Sequence, residues 1–335
     1  VNIIQNSGNQ LLNIIDDIRN NIKLNIFASG TADKTKQFYK IKNTNVYEWE
    51  MDDEGFMKEL LKDDTNIEEK QNILDIMTKR HGQYFMTCYN NITLDKDYSK
   101  YPTQVFMKHS IPTELITLIT TYNNTHNTDY GLSWKSILAL NKKYNKKTKN
   151  TIYENKFELE LSTDGIEILK YFFEIIISNN KMNKDTIMKK IEKTQGNYNS
   201  RLSTKDSPKL FIIYLPINTG NSRIDQLQST FKRFIEQYNL WPEYHIEYSN
   251  GMNDSSNFKE NYNDFIKTNI NNTLKNKKKG CILLLGNKGS IGVTYHDCDV
   301  TISLDDGLNL DNQKQRYSRA LTETPDKSKT IGINV

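Results

Sequence analysis

From residue 206 to the end of the chain, short apolar runs alternate with amphipathic stretches, and this regularity limits the possible folds more than any other feature. "KLFIIYLPI" is an apolar, β-branched run stopped by Pro216 and reads as a buried strand. "SRIDQLQSTFKRFIEQYNL" follows, with Ile224, Leu227, Phe231, Phe234 and Ile235 at the spacing of an amphipathic helix. Next come "YHIEYSNG" as strand and turn, "NYNDFIKTNINNTLKN" as helix, and "GCILLLGN" as a strand apolar throughout. "DVTISLDD" is a further strand, residues 309–321 a helix, and "KTIGINV" a last strand. Strands apolar on both faces must be covered on both, and helices of this length supply the cover through parallel crossovers. Residues 206–335 are therefore expected to form an α/β domain around a parallel sheet.

The earlier part of the chain has a different texture. "QLLNIIDDIRNNI" and "KLNIFASG" read as one helix and one strand, too little for a core, and suggest that residues 1–44 are the trailing part of another α/β domain. Residues 45–205 show helical periodicity in "GFMKELLKDD", "EEKQNILDIMTKR", "IPTELITLITTY", "GIEILKYFFEIIISNN" and "KDTIMKKIEK". Strand signals there are few: "QYFMTCYN", "TQVFMKH" and "KFELELS". The expectation is a mostly helical insertion or middle domain without internal repeats.

Several function classes are disfavoured. The longest apolar runs are far too short to span a bilayer, so no membrane partner is expected. Cys88, Cys281 and Cys298 have no close spacing and read as free thiols of a reducing, intracellular compartment. His81 and His109 lack a surrounding ligand cluster, and no metal site is assigned. A net charge of +4 points weakly towards polyanions, with basic clusters at 141–150 and 275–280. The start lacks a signal peptide and an initiator Met, so the chain is expected to begin inside a longer protein.

Arginine is scarce: seven among 45 basic residues, the rest being lysine. Yet "QKQRYSRALTE" (313–323) carries two, three residues apart. On a helix Asn312, Gln315, Arg316 and Arg319 share one side, with Leu310, Tyr317 and Leu321 on the other. Lys314 falls among the latter. A solvated basic face is the simpler reading of this helix alone. The stretch before it changes the balance. "GNKGSIGVTYHDCD" (286–299) follows an apolar strand and carries Gly286, Gly289 and Gly292, which allow backbone to approach a ligand where open α/β sheets bind theirs. "TISLDD" then ends in Asp305 and Asp306, either metal ligands or solvated turn residues, the turn being the simpler reading.

In this order the elements resemble motifs V and VI of superfamily 2 helicases and translocating ATPases. "GSIGVTYHDCDVTISLDD" is similar to motif V and the strand after it, and "QRYSRAL" to motif VI, Q-x-x-G-R-x-x-R. "IFASGTA" resembles the coupling motif III, and "KLFIIYLPI" motif IV. Together they cover residues 1–40 and 206–335. The asparagine- and lysine-rich style further suggests a large DNA virus of the Mimivirus kind, placing the protein in the host cytoplasm or the virion.

The resemblance implies two RecA-like domains with ATP and Mg2+ between them, the second supplying arginine fingers to the transferring phosphoryl group. Arg319 takes the conserved GR arginine, Gln315 the motif's Gln, and Ser318 replaces its Gly, while the last Arg falls on Thr322. In an alternative register Arg316 and Arg319 are the pair and Asn312 replaces Gln. Gly292 matches the invariant Gly of motif V, and Thr294 stands where many relatives have Asp or Asn in contact with nucleotide. Ser29, Gly30 and Thr31 match motif III, with Gly30 in place of Ala. Nucleic-acid contacts, to DNA or RNA, fall on Lys288, Gly289 and Ser290, and in the middle region on Lys142 and Lys143 beside Trp134 and Tyr144. Neither a Walker A loop nor a complete Asp-Glu box occurs in these 335 residues, so hydrolysis is expected of a longer parent rather than of this stretch. Two other readings stand beside this one. A non-catalytic helicase-like scaffold would dock protein partners through the middle region, and an unrelated nucleotide-binding α/β protein would bind ligand without nucleic acid.

Overall fold

The computed structural model describes residues 42, 47–61, 65–91, 101–108, 113–126, 134–138, 140–143, 158–161, 163–173, 186–200, 209–216, 224–249, 262–286, 295–305, 310–322, 324 and 329–335. The chain divides into two compact units, residues 1–60 with 65–93, and residues 61–64 with 94–335.

The first unit holds three helices, α1 (Met51–Leu60), α2 (Ile67–His81) and α3 (Gln83–Asn91). Asn66 caps α2 by accepting the Glu69 N–H at 2.7 Å, with Glu68 and Glu69 in the first turn and Lys79, Arg80 and His81 in the last, the polarity that the helix dipole favours. Gly82 stops α2 with a φ of 75°, conformational space that a side chain rarely enters. Met57, Leu60, Ile73, Met77 and Phe85 form the buried side. The buried Asp53 ties α1 to α2 through Arg80 at 2.9 Å and His81 Nε2 at 3.2 Å. The stretch "QYFMTCYN", expected as a strand, is helix α3. Its aromatic content mimics strand composition, but Phe85 and Tyr89 stack one helical turn apart at 5.9 Å, and packing overrides local propensity.

The second unit is built on a six-stranded sheet that is parallel throughout. Its elements are β1 (Thr103–Phe106), α4 (Thr113–His126), α5 (Trp134–Ile137), β2 (Leu140–Lys143), β3 (Glu158–Leu161), α6 (Thr163–Tyr171), α7 (Ile187–Asn197) and β4 (Lys209–Tyr214), followed by α8 (Ile224–Gln237), β5 (Tyr244–Tyr248), α9 (Tyr262–Lys275), β6 (Gly280–Leu285), β7 (Cys298–Ser303), α10 (Leu310–Tyr317), a 3-10 turn (Ser318–Leu321) and β8 (Ile331–Asn334). The strand order is β1-β8-β7-β4-β6-β5, and β2 pairs with β3 in a separate antiparallel ladder. The α/β architecture with a parallel sheet is thus the one that the apolar runs imply.

Alternation along the strands sends side chains into two cores. Phe211, Ile213 and Leu215 face one, and Leu210, Ile212 and Tyr214 the other. The first core is covered by α8 through Leu227, Phe231, Phe234 and Ile235, and by apolar residues of α4, α6 and α7. The second takes Ile266 from α9 and Ala320 from the 3-10 turn. Crossovers running in opposite directions along the sheet must lie on opposite faces if all are right-handed, as α8 and α9 do.

Two strand pairings involve residues of the 45–205 stretch. Residues 103–106 pair with 331–334 as the edge strand β1, so part of that stretch completes the sheet. Lys142 and Lys143 belong to β2, opposite Leu159 and Glu158 of β3, rather than to a loop. Two of the strand signals, "TQVFMKH" and "KFELELS", are β1 and β3, whereas β2 carries none.

Candidate functional site

The chain leaves β4 towards β5 on one side of the sheet, while β7 leads to β8 on the other, so the order reverses between β4 and β7. Ligands of open parallel sheets bind outside the carboxyl ends of the strands at such a reversal. Tyr214 ends β4 there, Asp305 follows β7, and α10 starts shortly afterwards.

Arg316 of α10 turns into this corner. Its Nη1 donates to Asp305 Oδ2 at 3.3 Å, and the guanidinium carbon lies 4.6 Å from the centre of the Tyr214 ring. Both partners of the ion pair are buried, with side-chain exposures of 1% and 3%. Burial pulls the Arg316 pKa below its usual value, opposed by the negative charge of Asp305 and by Tyr214. Asp305, read from sequence as a solvated turn residue or metal ligand, is instead the buried counter-ion of Arg316. Asp306 lies outside the described residues.

The pair satisfies the guanidinium poorly. Arginine has five N–H donors, and the buried Nη2 finds no hydrogen-bond partner among the described residues; neither do Gln315 Oε1 and Ser303 Oγ. These polar atoms come from the end of β7 and from α10, beside the reversal in strand order.

The expectation that Gln315, Arg316 and Arg319 share an exposed face is met in part. Gln315 and Arg319 are half-buried, whereas Arg316 is among the largest fully buried side chains. A wheel of α10 alone could not reveal this, because the groups that draw Arg316 inward come from two strands. Arg319 stands in the 3-10 turn, and its positive charge reaches the Cys298 thiol at the start of β7. Cys298 is wholly buried, and burial pushes its pKa up to about 12; Cys281 is held at about 12 for the same reason.

Further buried polar groups support the sheet. Gln228 of α8, 1% exposed, donates through Nε2 to the carbonyls of Ser249 and Leu284 at 2.9 and 3.0 Å. Lys329, also buried, donates to the carbonyls of Cys298 at 2.9 Å and His296 at 3.3 Å. Neither role was legible from spacing: Gln228 sits within an apolar helix face, and Lys329 in a polar segment before β8. Among the described residues no group of three or more His, Cys, Asp or Glu could hold a metal ion. No described helix is long and apolar enough to cross a membrane.

Other sequence candidates cannot be placed against this corner. Ser29, Gly30, Thr31, Lys288, Gly289, Ser290, Gly292 and Thr294 lie outside the described residues, as do the side chains of Lys142 and Lys143.

No known family profile matches the sequence, and no curated protein matches it. Among solved structures the chain is similar to the crystal structure of the C-terminal part of the Fun30 ATPase domain, at 13% identity and a TM-score of 0.28. That match covers 84% of this chain, which spans 60% of the length of the other. A superposition this loose assigns neither fold nor role.

Proposed function

We propose that this chain is the carboxyl portion of an ATP-dependent superfamily 2 helicase or nucleic-acid translocase, with residues 206–335 as its second RecA-like domain. One observation carries the reading: the segments resembling motifs IV and VI, and the strand that follows motif V, meet in that order around the strand reversal of a wholly parallel sheet. Buried polar atoms of Ser303, Gln315 and Arg316 beside that reversal support a ligand-facing role. Within this reading half-buried Arg319 reaches the phosphoryl group of ATP held by a partner domain. Its fixed positive charge opposes the charge that builds up on the transferring oxygens. In the same reading Gln315 acts beside it, Gly292 and Thr294 contact nucleotide, Lys288, Gly289 and Ser290 contact nucleic acid, and Mg2+ comes with ATP from the partner domain.

The burial of Arg316 against Asp305 favours a second reading, a helicase-like scaffold without hydrolysis, in which the arginine is purely structural. ATP hydrolysis by the full-length protein, with and without single-stranded nucleic acid, separates the two. A motor shows stimulated hydrolysis that falls by about 1,000-fold or more in Arg319→Ala, the scale of a lost arginine finger. A folded full-length protein without hydrolysis leaves the scaffold.

A further inference from the structure

We infer that Phe106 and Tyr317, framed by Lys108 and Lys314, form a stacking point for a base of single-stranded nucleic acid. Val105 and Met107 pack against the first core, so alternation turns Phe106 to the opposite face of the sheet, the face that carries the 3-10 turn after α10. There its ring meets Tyr317 edge to face, with centroids 5.6 Å apart and planes at 81°. The pair is not a core contact: Phe106 is 64% exposed on an edge strand, so its ring is open to solvent beside Tyr317.

The surrounding charge selects the occupant. Met107 N–H still bonds Asn334 O, and exposed Lys108 follows Phe106 by two residues. Exposed Lys314 lies three residues before Tyr317, on the same face of α10. Asp305, the buried carboxylate beneath this helix, is already engaged by Arg316. Aromatic rings set among cations fit a strand whose bases stack and whose phosphates are anionic, and stacking accepts any base. This also accounts for Lys314 on the otherwise apolar side of α10.

The inference shares with the functional reading only the expectation of nucleic acid, and its test needs no nucleotide. Anisotropy of labelled single-stranded DNA and RNA oligomers is measured against the 335-residue chain. Phe106→Ala is expected to weaken binding about 5-fold or more, and Phe106→Trp to retain it. Lys108→Gln should lower the slope of log affinity against log salt by about 0.7, one single-strand phosphate contact. The arm with the larger loss identifies the sugar. Failure of the wild-type chain to bind either oligomer, unchanged affinity in Phe106→Ala, or full affinity in Phe106→Leu would each overturn the site. Absence of ATP hydrolysis by the folded full-length protein, with these losses intact, would remove the motor reading and leave the site standing.

Discussion

Replacing Asp305 by Ala leaves the Arg316 guanidinium buried without its counter-charge, and the size of the effect can be worked from the geometry. At 3.3 Å and an effective dielectric of about 20, the lost attraction is roughly 5 kcal/mol. The Tyr214 ring, 4.6 Å from the guanidinium carbon, faces Arg316 with or without Asp305 and leaves this difference unchanged. The expected destabilisation of the sheet unit is therefore about 3–5 kcal/mol, the range found when one partner of a buried pair is removed. At an m-value of about 3 kcal/mol/M, the urea midpoint should fall by about 1 M. Fluorescence in a Trp49→Phe background restricts the signal to Trp134 and Trp241, both packed on the sheet unit. Adding Arg316→Met removes the stranded charge and should recover at least half of the loss, since apolar replacements of buried pairs are often neutral or better. A midpoint shift below roughly 0.3 M, or a double variant less stable than the single one, would refute the account.

Two further outcomes are expected. In β8, a Cβ at Gly332 would lie 2.6 Å from the Ala320 carbonyl carbon, with its oxygen nearer still, so Gly332→Ala should cost about 1–3 kcal/mol or more in the same titration; a neutral result would mean that the 3-10 turn yields. For Asp53, burial raises the pKa, but the Glu50 amide, Arg80 and His81 outweigh it and hold the carboxyl below its usual value. A carboxyl depressed on folding stabilises above its unfolded pKa and stops doing so as pH falls through its folded one. Helical signal from the first unit should therefore weaken below about pH 4, with that dependence reduced in Asp53→Asn; identical acid profiles for the two proteins would contradict it.

The strands of the sheet were legible where burial is continuous. "KLFIIYLPI", "GCILLLGN" and "DVTISLDD" lie in the interior of the sheet with helices on both faces, so nearly every position must be apolar and the local pattern suffices. β1 and β3 lie in the short signals "TQVFMKH" and "KFELELS", whereas β2 was harder because a short ladder needs only a partner. In α3, aromatic residues suited to a strand were recruited to helix packing around Phe85. At the candidate site, the helical spacing of Gln315, Arg316 and Arg319 was readable, but the inward turn of Arg316 was not. It depends on Asp305 and Tyr214, which reach the same corner only after the strand order is set.

The pairing of Thr103–Phe106 with Ile331–Asn334 also fixes an order of events during synthesis. A ribosome delivers β1 long before β8 exists, and an edge strand without a neighbour gains nothing from extending. The helices and β4 to β7 can assemble as they emerge, while β1 waits, its Phe106 and Val105 exposed to other nascent chains. This rung of the sheet forms only once β8 has emerged, and until then the unpaired edge is a surface for a chaperone to cover.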